Sequence, residues 1–192
     1  MNTKLLTRFF LVFSLFAVTM VAQEKKTEKK EPKKKATKEL PLEPKRNISF
    51  NTSQGTWMSV DVHPDGKTIM FDMMGDLYTI PITGGKATQV TKGMPYEVHP
   101  RYSPDGNSIV YVSDKSGSDN IWIRDLKTKE ETQLTKSKNQ KYTSADWSPD
   151  GEYIVGVRGR RNIKPYLYHK SGGAGAKLIS NPKNLKTIDP AF

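Results

Sequence analysis

His63, His99 and His169 are the only imidazoles in this chain, and a histidine-ligated metal centre would have to be built around them. Such a centre needs ligands that converge, and the usual sign on a strand is two histidines one residue apart, both facing one cavity. None of the three lies near another, so no metal site is expected. A serine nucleophile on a strained elbow needs a G-x-S-x-G pattern. Neither Gly55-Thr56-Trp57 nor Ser116-Gly117-Ser118 provides it. With no cysteine, thiol catalysis, Cys-ligated zinc, disulfides and an acylated lipobox cysteine are all excluded. No catalytic, cofactor-binding or metal-ligating residue is therefore assigned. Asp65, Asp105 and Asp150 recur at one position of a tight turn and read as structural. Asp72, Asp76, Asp114 and Asp119 fall in corresponding loops and read as solvated acids, with a weak cation or partner site as the alternative. Arg158-Gly159-Arg160-Arg161 is the compact basic cluster. Arg158, Arg160 and Arg161 are the candidates for binding an anion or an acidic partner, against a solvated hairpin tip. Gly172-Gly173-Ala174-Gly175 has no helix behind it, so it reads as a flexible hairpin and not as a phosphate loop.

The elements that hold these residues come from a repeat. His63-Pro64-Asp65-Gly66, Ser103-Pro104-Asp105-Gly106 and Ser148-Pro149-Asp150-Gly151 place the aspartate at intervals of 40 and 45 residues. Three positions before it stand Val62, Tyr102 and Trp147, and four after it Ile69, Ile109 and Ile154. The pairs Leu77-Tyr78, Ile121-Trp122 and Leu167-Tyr168 follow. Each unit closes on Val90-Thr91, Leu134-Thr135 or Ile179-Ser180. Proline presets φ in the turn, aspartate tolerates the next position and glycine supplies positive φ at the exit. Each Pro-Asp-Gly should thus join two antiparallel strands. β-formers over Thr68–Asp72, Ser108–Ser113 and Tyr153–Val157 give the second strand, and Leu77–Ile82, Ile121–Asp125 and Tyr166–His169 the third. Four strands per unit of this length is the period of a β-propeller blade. Trp57, Trp122 and Trp147 are expected on strands, in the core between blades.

The expected class is all-β: an incomplete β-propeller of three four-stranded blades plus the start of a fourth. The repeats run 57–91, 97–135 and 142–180, with the next beginning at 187–192, inside a domain spanning 47–192. Asp189-Pro190-Ala191-Phe192 aligns with His99-Pro100-Arg101-Tyr102. Three blades and a stub cannot close a ring, so the chain is expected to be the front of a longer protein.

Ahead of the repeats, residues 1–22 read as a cleavable signal peptide. Lys4 and Arg8 precede an apolar stretch too short for a transmembrane span, and Ala22 stands before the cut. Export to the periplasm or medium follows, with no stable membrane anchor. Residues 23–46 are a disordered Lys/Glu/Pro linker. The chain's net charge is +11, but 47–192 hold 19 basic against 15 acidic side chains. The excess sits mainly in the tail, so nucleic acid is not expected as a partner.

The three in-register units resemble the WD-type propeller repeats of the TolB family, whose hallmark is the (S/H)-P-D-G turn after an aromatic or apolar residue. Gly55–Val62 running into the first turn, and Phe71-Asp72 through Gly75–Pro81 with Gly84-Gly85, resemble the first blade of exported amidohydrolases that carry such a propeller. Tyr168-His169-Lys170 with Gly172-Gly173 resembles their third. That likeness implies a catalytic barrel, with a divalent metal, downstream of this chain. The propeller would gate or recognise substrate, partnered by that barrel and by envelope proteins or peptides. Two alternatives stand beside it: a TolB-like envelope protein-binding propeller without enzyme activity, and the propeller of a prolyl-oligopeptidase-type serine peptidase.

Overall fold

The turn chemistry is the point from which each blade is built. In the computed structural model the amides of Gly66, Gly106 and Gly151 donate to the carbonyls of His63, Ser103 and Ser148, each at 2.8 Å. The three glycines have φ of 70°, 72° and 68°, the left-handed region open to glycine at little cost. The structure describes residues 46, 48–184 and 186–191. The signal peptide expected over 1–22, the linker over 23–46 except Arg46, and Phe192 lie outside the described residues.

Twelve strands follow in order. Blade 1 holds β1 (Val60–Val62), β2 (Thr68–Met73), β3 (Asp76–Pro81) and β4 (Thr88–Gln89). Blade 2 holds β5 (Glu97–Tyr102), β6 (Ser108–Ser113), β7 (Asn120–Asp125) and β8 (Glu131–Gln133). Blade 3 holds β9 (Tyr142–Trp147), β10 (Tyr153–Arg158), β11 (Lys164–His169) and β12 (Gly172–Lys177). Each blade is a four-stranded antiparallel meander with strands in chain order. The first strands β1, β5 and β9 contact one another in succession. The all-β architecture of three blades agrees with the repeat.

Two apolar clusters hold the blades together. Met70 and Leu77 of blade 1 pack against Tyr102, Ile109, Tyr111 and Trp122 of blade 2. Val110, Val112, Ile121 and Leu134 of blade 2 pack against Tyr142, Trp147, Ile154 and Tyr168 of blade 3. In blades 2 and 3 the aromatic three positions before the turn aspartate, Tyr102 or Trp147, is thus buried on the preceding blade. Polar ties reinforce the seams. Asp61 accepts from the Tyr102 amide at 2.7 Å, and the Trp147 indole donates to the Arg101 carbonyl at 3.2 Å.

Three expectations are corrected. Trp57 is not a core strand residue: it lies in a bend before β1, fully exposed, with φ of 55°. The strands β5 and β9 begin at the corresponding positions, Glu97 and Tyr142, which are buried, but β1 is only three residues long and leaves Trp57 outside the sheet; Trp122 and Trp147 are buried as expected. In blade 3 the third-strand pair lies two residues earlier than the repeat spacing predicts. Tyr78 and Trp122 pair with Phe71 and Tyr111, six positions after their turn aspartates. The blade 3 residue six positions on, Gly156, pairs with Tyr166. Pro165-Tyr166 is therefore the counterpart of Leu77-Tyr78, and Leu167-Tyr168 is not. Accordingly Leu178, one residue ahead of Ile179-Ser180, donates to the Pro165 carbonyl, as Val90 does to Leu77 and Leu134 to Ile121. Last, the Gly172–Gly175 run is itself the start of β12.

Candidate binding face

A four-stranded meander sends its turns to two ends. The Pro-Asp-Gly turn and the hairpin between third and fourth strands lie at one, the turn end. The second-to-third loop and the connector to the next blade lie at the other, the loop end.

The turn end is occupied by structural hydrogen bonding. The Ser103 hydroxyl donates to Asp105 and accepts from the Ser108 amide at 2.9 Å. Ser148 does the same with Asp150 and the Tyr153 amide. In blade 1 histidine takes the serine's place: His63 Nδ1 is 2.9 Å from Asp65 Oδ1. These bonds hold the carboxylates below their usual range. The Lys67 amide leads for Asp65, the Ser148 hydroxyl for Asp150, and the Ser103 hydroxyl for Asp105, which falls to about 2. Their structural assignment agrees with this geometry.

Ser59, Asp72 and His99 come close enough to raise the question of a triad. Ser59 Oγ is 2.8 Å from His99 Nδ1. Yet the oxygens of the buried Asp72 accept from the backbone amides of Ser59, at 3.1 Å, and His99, at 2.8 Å. A triad carboxylate must orient the imidazole, and here it ties β2 to β5 across a blade seam instead. His99 is at a bulge, with φ of 54°. His169 bonds Ser171 at 2.6 Å on the surface. Among the described residues no three His, Cys, Asp or Glu side chains gather as a metal site.

At the loop end the segments are stitched into one surface. The Tyr96 amide donates to Asp114 Oδ1 at 2.8 Å, joining the first connector to the loop 114–119. Asn120 holds that loop to the second connector, donating to the Ser137 carbonyl at 3.0 Å and accepting from the Ser137 amide at 2.9 Å. The Gly159 amide donates to the Lys141 carbonyl at 2.9 Å, and that of Thr187 to Ile163 at 3.2 Å. The four acids read as solvated loop residues are dispersed, and each has a partner. Asp72 is buried in a seam and Asp114 bonds Tyr96. Asp119 lies 3.6 Å from Lys141. Asp76 accepts from Gln89 at 2.9 Å and is pushed up by burial.

The arginine cluster is divided as well. Arg158 ends β10 with its guanidinium 3.6 Å above the Tyr166 ring. Although burial opposes its charge, Tyr142 and Tyr166 hold its pKa above the ordinary value. Arg160 and Arg161 stand exposed at the loop tip. The geometry thus keeps two of the three arginines free on the loop end.

A second charged group carried no sequence signature. Lys115 Nζ lies 2.6 Å from both Glu131 Oε2 and the Tyr111 hydroxyl, 3.7 Å from Glu97 and 4.1 Å above the Trp122 ring. Arg124 joins Glu131 at 2.7 Å. Burial works to raise the Glu131 pKa, but Lys115, Tyr111 and Arg124 hold it below normal. Glu97 is pushed up by burial. Its members span β5 to β8, so only the sheet register brings them together.

Blades packed first strand to first strand, each opened by one repeated turn, define the molecule as a β-propeller repeat protein. Residues 36–188 match the model of the TolB beta propeller domain family, and the chain belongs to that family. It is 26% identical over 93 residues, 48% of the chain, to Tricorn protease homolog 1 of Streptomyces coelicolor, covering 9% of that protein. It is 28% identical over 115 residues, 57% of the chain, to dipeptidyl-peptidase 5 of Porphyromonas gingivalis, covering 16%. With the Tol-Pal system protein TolB of Desulfotalea psychrophila the figures are 32% over 80 residues, 42% of the chain and 18% of the relative. The matched regions thus span less than a fifth of each of these relatives. Among solved structures, the putative TolB of Agrobacterium tumefaciens superposes with a TM-score of 0.59 at 24% identity, covering 66% of this chain and 50% of the other. That likeness is one of fold.

Proposed function

We propose that this chain is the non-catalytic propeller portion of an exported hydrolase, gating or recognising substrate for a catalytic domain that it does not contain. The observation that carries this reading is the division of labour between the two ends. The repeated polar groups at the turns and seams are bound up in holding the blades. The loop end keeps free side chains on a continuous surface. Similarity to proteins named as a protease homolog and a dipeptidyl-peptidase supports a hydrolase as the parent. The likeness of blades 1 and 3 to exported amidohydrolases favours a metal-dependent barrel, whose divalent ion would be held outside these residues. Export rests on the signal-peptide pattern of residues 1–22, and among the described residues no helix is long and apolar enough to cross a membrane.

Membership of the TolB propeller family supports a second reading, a propeller that docks envelope proteins with no enzyme attached. Expressing the whole natural reading frame in its own host separates the two. Secretion with a mature chain starting near Gln23, and amide hydrolysis abolished by a chelator, would support the first. A secreted protein without hydrolytic activity that co-purifies with an envelope protein would replace it with the second. Hydrolysis blocked by a serine-directed reagent but not by a chelator would point to a peptidase of the prolyl-oligopeptidase type.

A further inference from the structure

The two ends of the blades differ in charge. At the turn end acids and bases balance: Asp65, Asp105 and Asp150 share the surface with Lys67, Lys127 and Lys129. At the loop end of blades 2 and 3, Lys136, Lys138, Lys141, Arg160 and Arg161 are all exposed. Of these only Lys141 has a carboxylate within ion-pair distance among the described residues. The nearby acids Asp114 and Asp119 are engaged, one with the Tyr96 amide and one with Lys141. The loop end of blade 1 has another character. Met74, Met94 and Tyr96 stand 79%, 43% and 56% exposed there. The Tyr96–Asp114 bond joins this apolar ground to the loop 114–119, which Asn120 in turn holds to the connector carrying Lys136, Lys138 and Lys141.

We propose that the loop end is a docking surface for an acidic polypeptide segment with apolar anchors at one end. The anchors would rest on Met74, Met94 and Tyr96 and the acidic run along the loops carrying Lys136, Lys138, Arg160 and Arg161. This deepens the recognition role proposed above and rests on it. Charge complementarity names the occupant. Unpaired cations on a continuous surface attract and orient an acidic chain, and exposed apolar side chains beside them supply contact that salt does not screen. Single-stranded nucleic acid would need aromatic platforms among the cations for its bases to stack on. Here the exposed tyrosine and methionines are confined to blade 1, apart from the basic loops.

The test uses the full chain and a short fluorescein-labelled peptide carrying Leu-Phe-Leu at one end and a Glu/Asp run at the other, read by fluorescence anisotropy. Binding should weaken about tenfold or more between 0.05 and 0.2 M salt. Lys136→Glu/Lys138→Glu/Arg160→Glu should weaken it at least tenfold at low salt with no change in thermal midpoint. The milder Lys136→Gln/Lys138→Gln should give a smaller loss in the same direction. Met74→Ser/Tyr96→Ser should cost several-fold at every salt concentration. Reversal at the turn end, Lys67→Glu/Lys127→Glu, should leave binding unchanged. Equal loss from the turn-end variant, absence of peptide binding, or tighter capture of a single-stranded oligonucleotide or anionic lipid vesicles would each overturn the proposal. Hydrolysis by the whole natural protein would stand in any of those cases, so this failure is distinguishable from failure of the hydrolase reading.

Discussion

At the scale of single residues, the turn aspartates show how a side chain that resembles a site can be wholly structural. Asp105 accepts from the Ser103 hydroxyl, the Asn107 side chain at 2.9 Å and the Asn107 amide at 3.1 Å. These bonds favour the charged form and lower its pKa to about 2. A carboxyl with a depressed folded pKa contributes stability that is present above its unfolded value, roughly 3.9, and is lost as pH falls through the folded one. Asp105→Asn should therefore lower the unfolding free energy at pH 6, by less than about 1 kcal/mol because the group is largely solvated. The gap from the native chain should narrow as the pH approaches about 2, and urea melts across that window would show it. The turns were legible in the sequence because Pro-Asp-Gly is local chemistry. The division of the arginine cluster was not, since Tyr166, which removes Arg158 from it, is reached only by folding β11 beside β10.

At the scale of elements, packing between blades depends on small and large residues meeting across a seam. Where blades 1 and 2 carry Phe71 and Tyr111, blade 3 has Gly156. A methyl added there would run into Ile121 Cδ1 of blade 2. Gly156→Ala should cost about 1–3 kcal/mol by overpacking, and Trp147→Ala about 3–5 kcal/mol by leaving a cavity in the same seam. Thermal unfolding would rank the two. The Lys115–Glu131 pair makes a coupled prediction. Glu131→Ala takes the carboxylate from Arg124 and leaves Lys115 with only Glu97, 3.7 Å away, in a half-buried site. Adding Lys115→Met should recover part of the loss, giving a favourable coupling of roughly 0.5–3 kcal/mol in a double-mutant cycle. Periodicity made the strands legible, because each second strand is a run of β-formers after a turn. The blade 3 register was less so: Pro165-Tyr166 and Leu167-Tyr168 are both apolar-aromatic pairs, and only the cross-strand partner, Gly156, tells them apart.

At the scale of the whole molecule, each blade offers one face to the blade before it and one to the blade after. Tyr102 and Trp147 fill the backward faces of blades 2 and 3 and are buried. Tyr102, desolvated there, has its pKa pushed up to about 12. The same position in blade 1 is Val62, which is 46% exposed, with Val60 beside it at 48%. Phe71 and Tyr78, their rings stacked 5.7 Å apart, complete this face. Its composition is that of a seam, and an uncovered apolar surface of this kind favours association. The chain on its own should therefore show concentration-dependent growth in sedimentation velocity at low and high salt alike, because apolar contact is not screened. Val60→Ser/Val62→Ser should reduce that growth without lowering the thermal midpoint, since neither side chain belongs to a buried cluster. Reversing charges at the loop end should leave it unaltered, because the seam face and the basic loops are different surfaces. Self-association that vanishes at high salt and persists in the Val60→Ser/Val62→Ser chain would mean that the charged loops, rather than the apolar face, bring copies together.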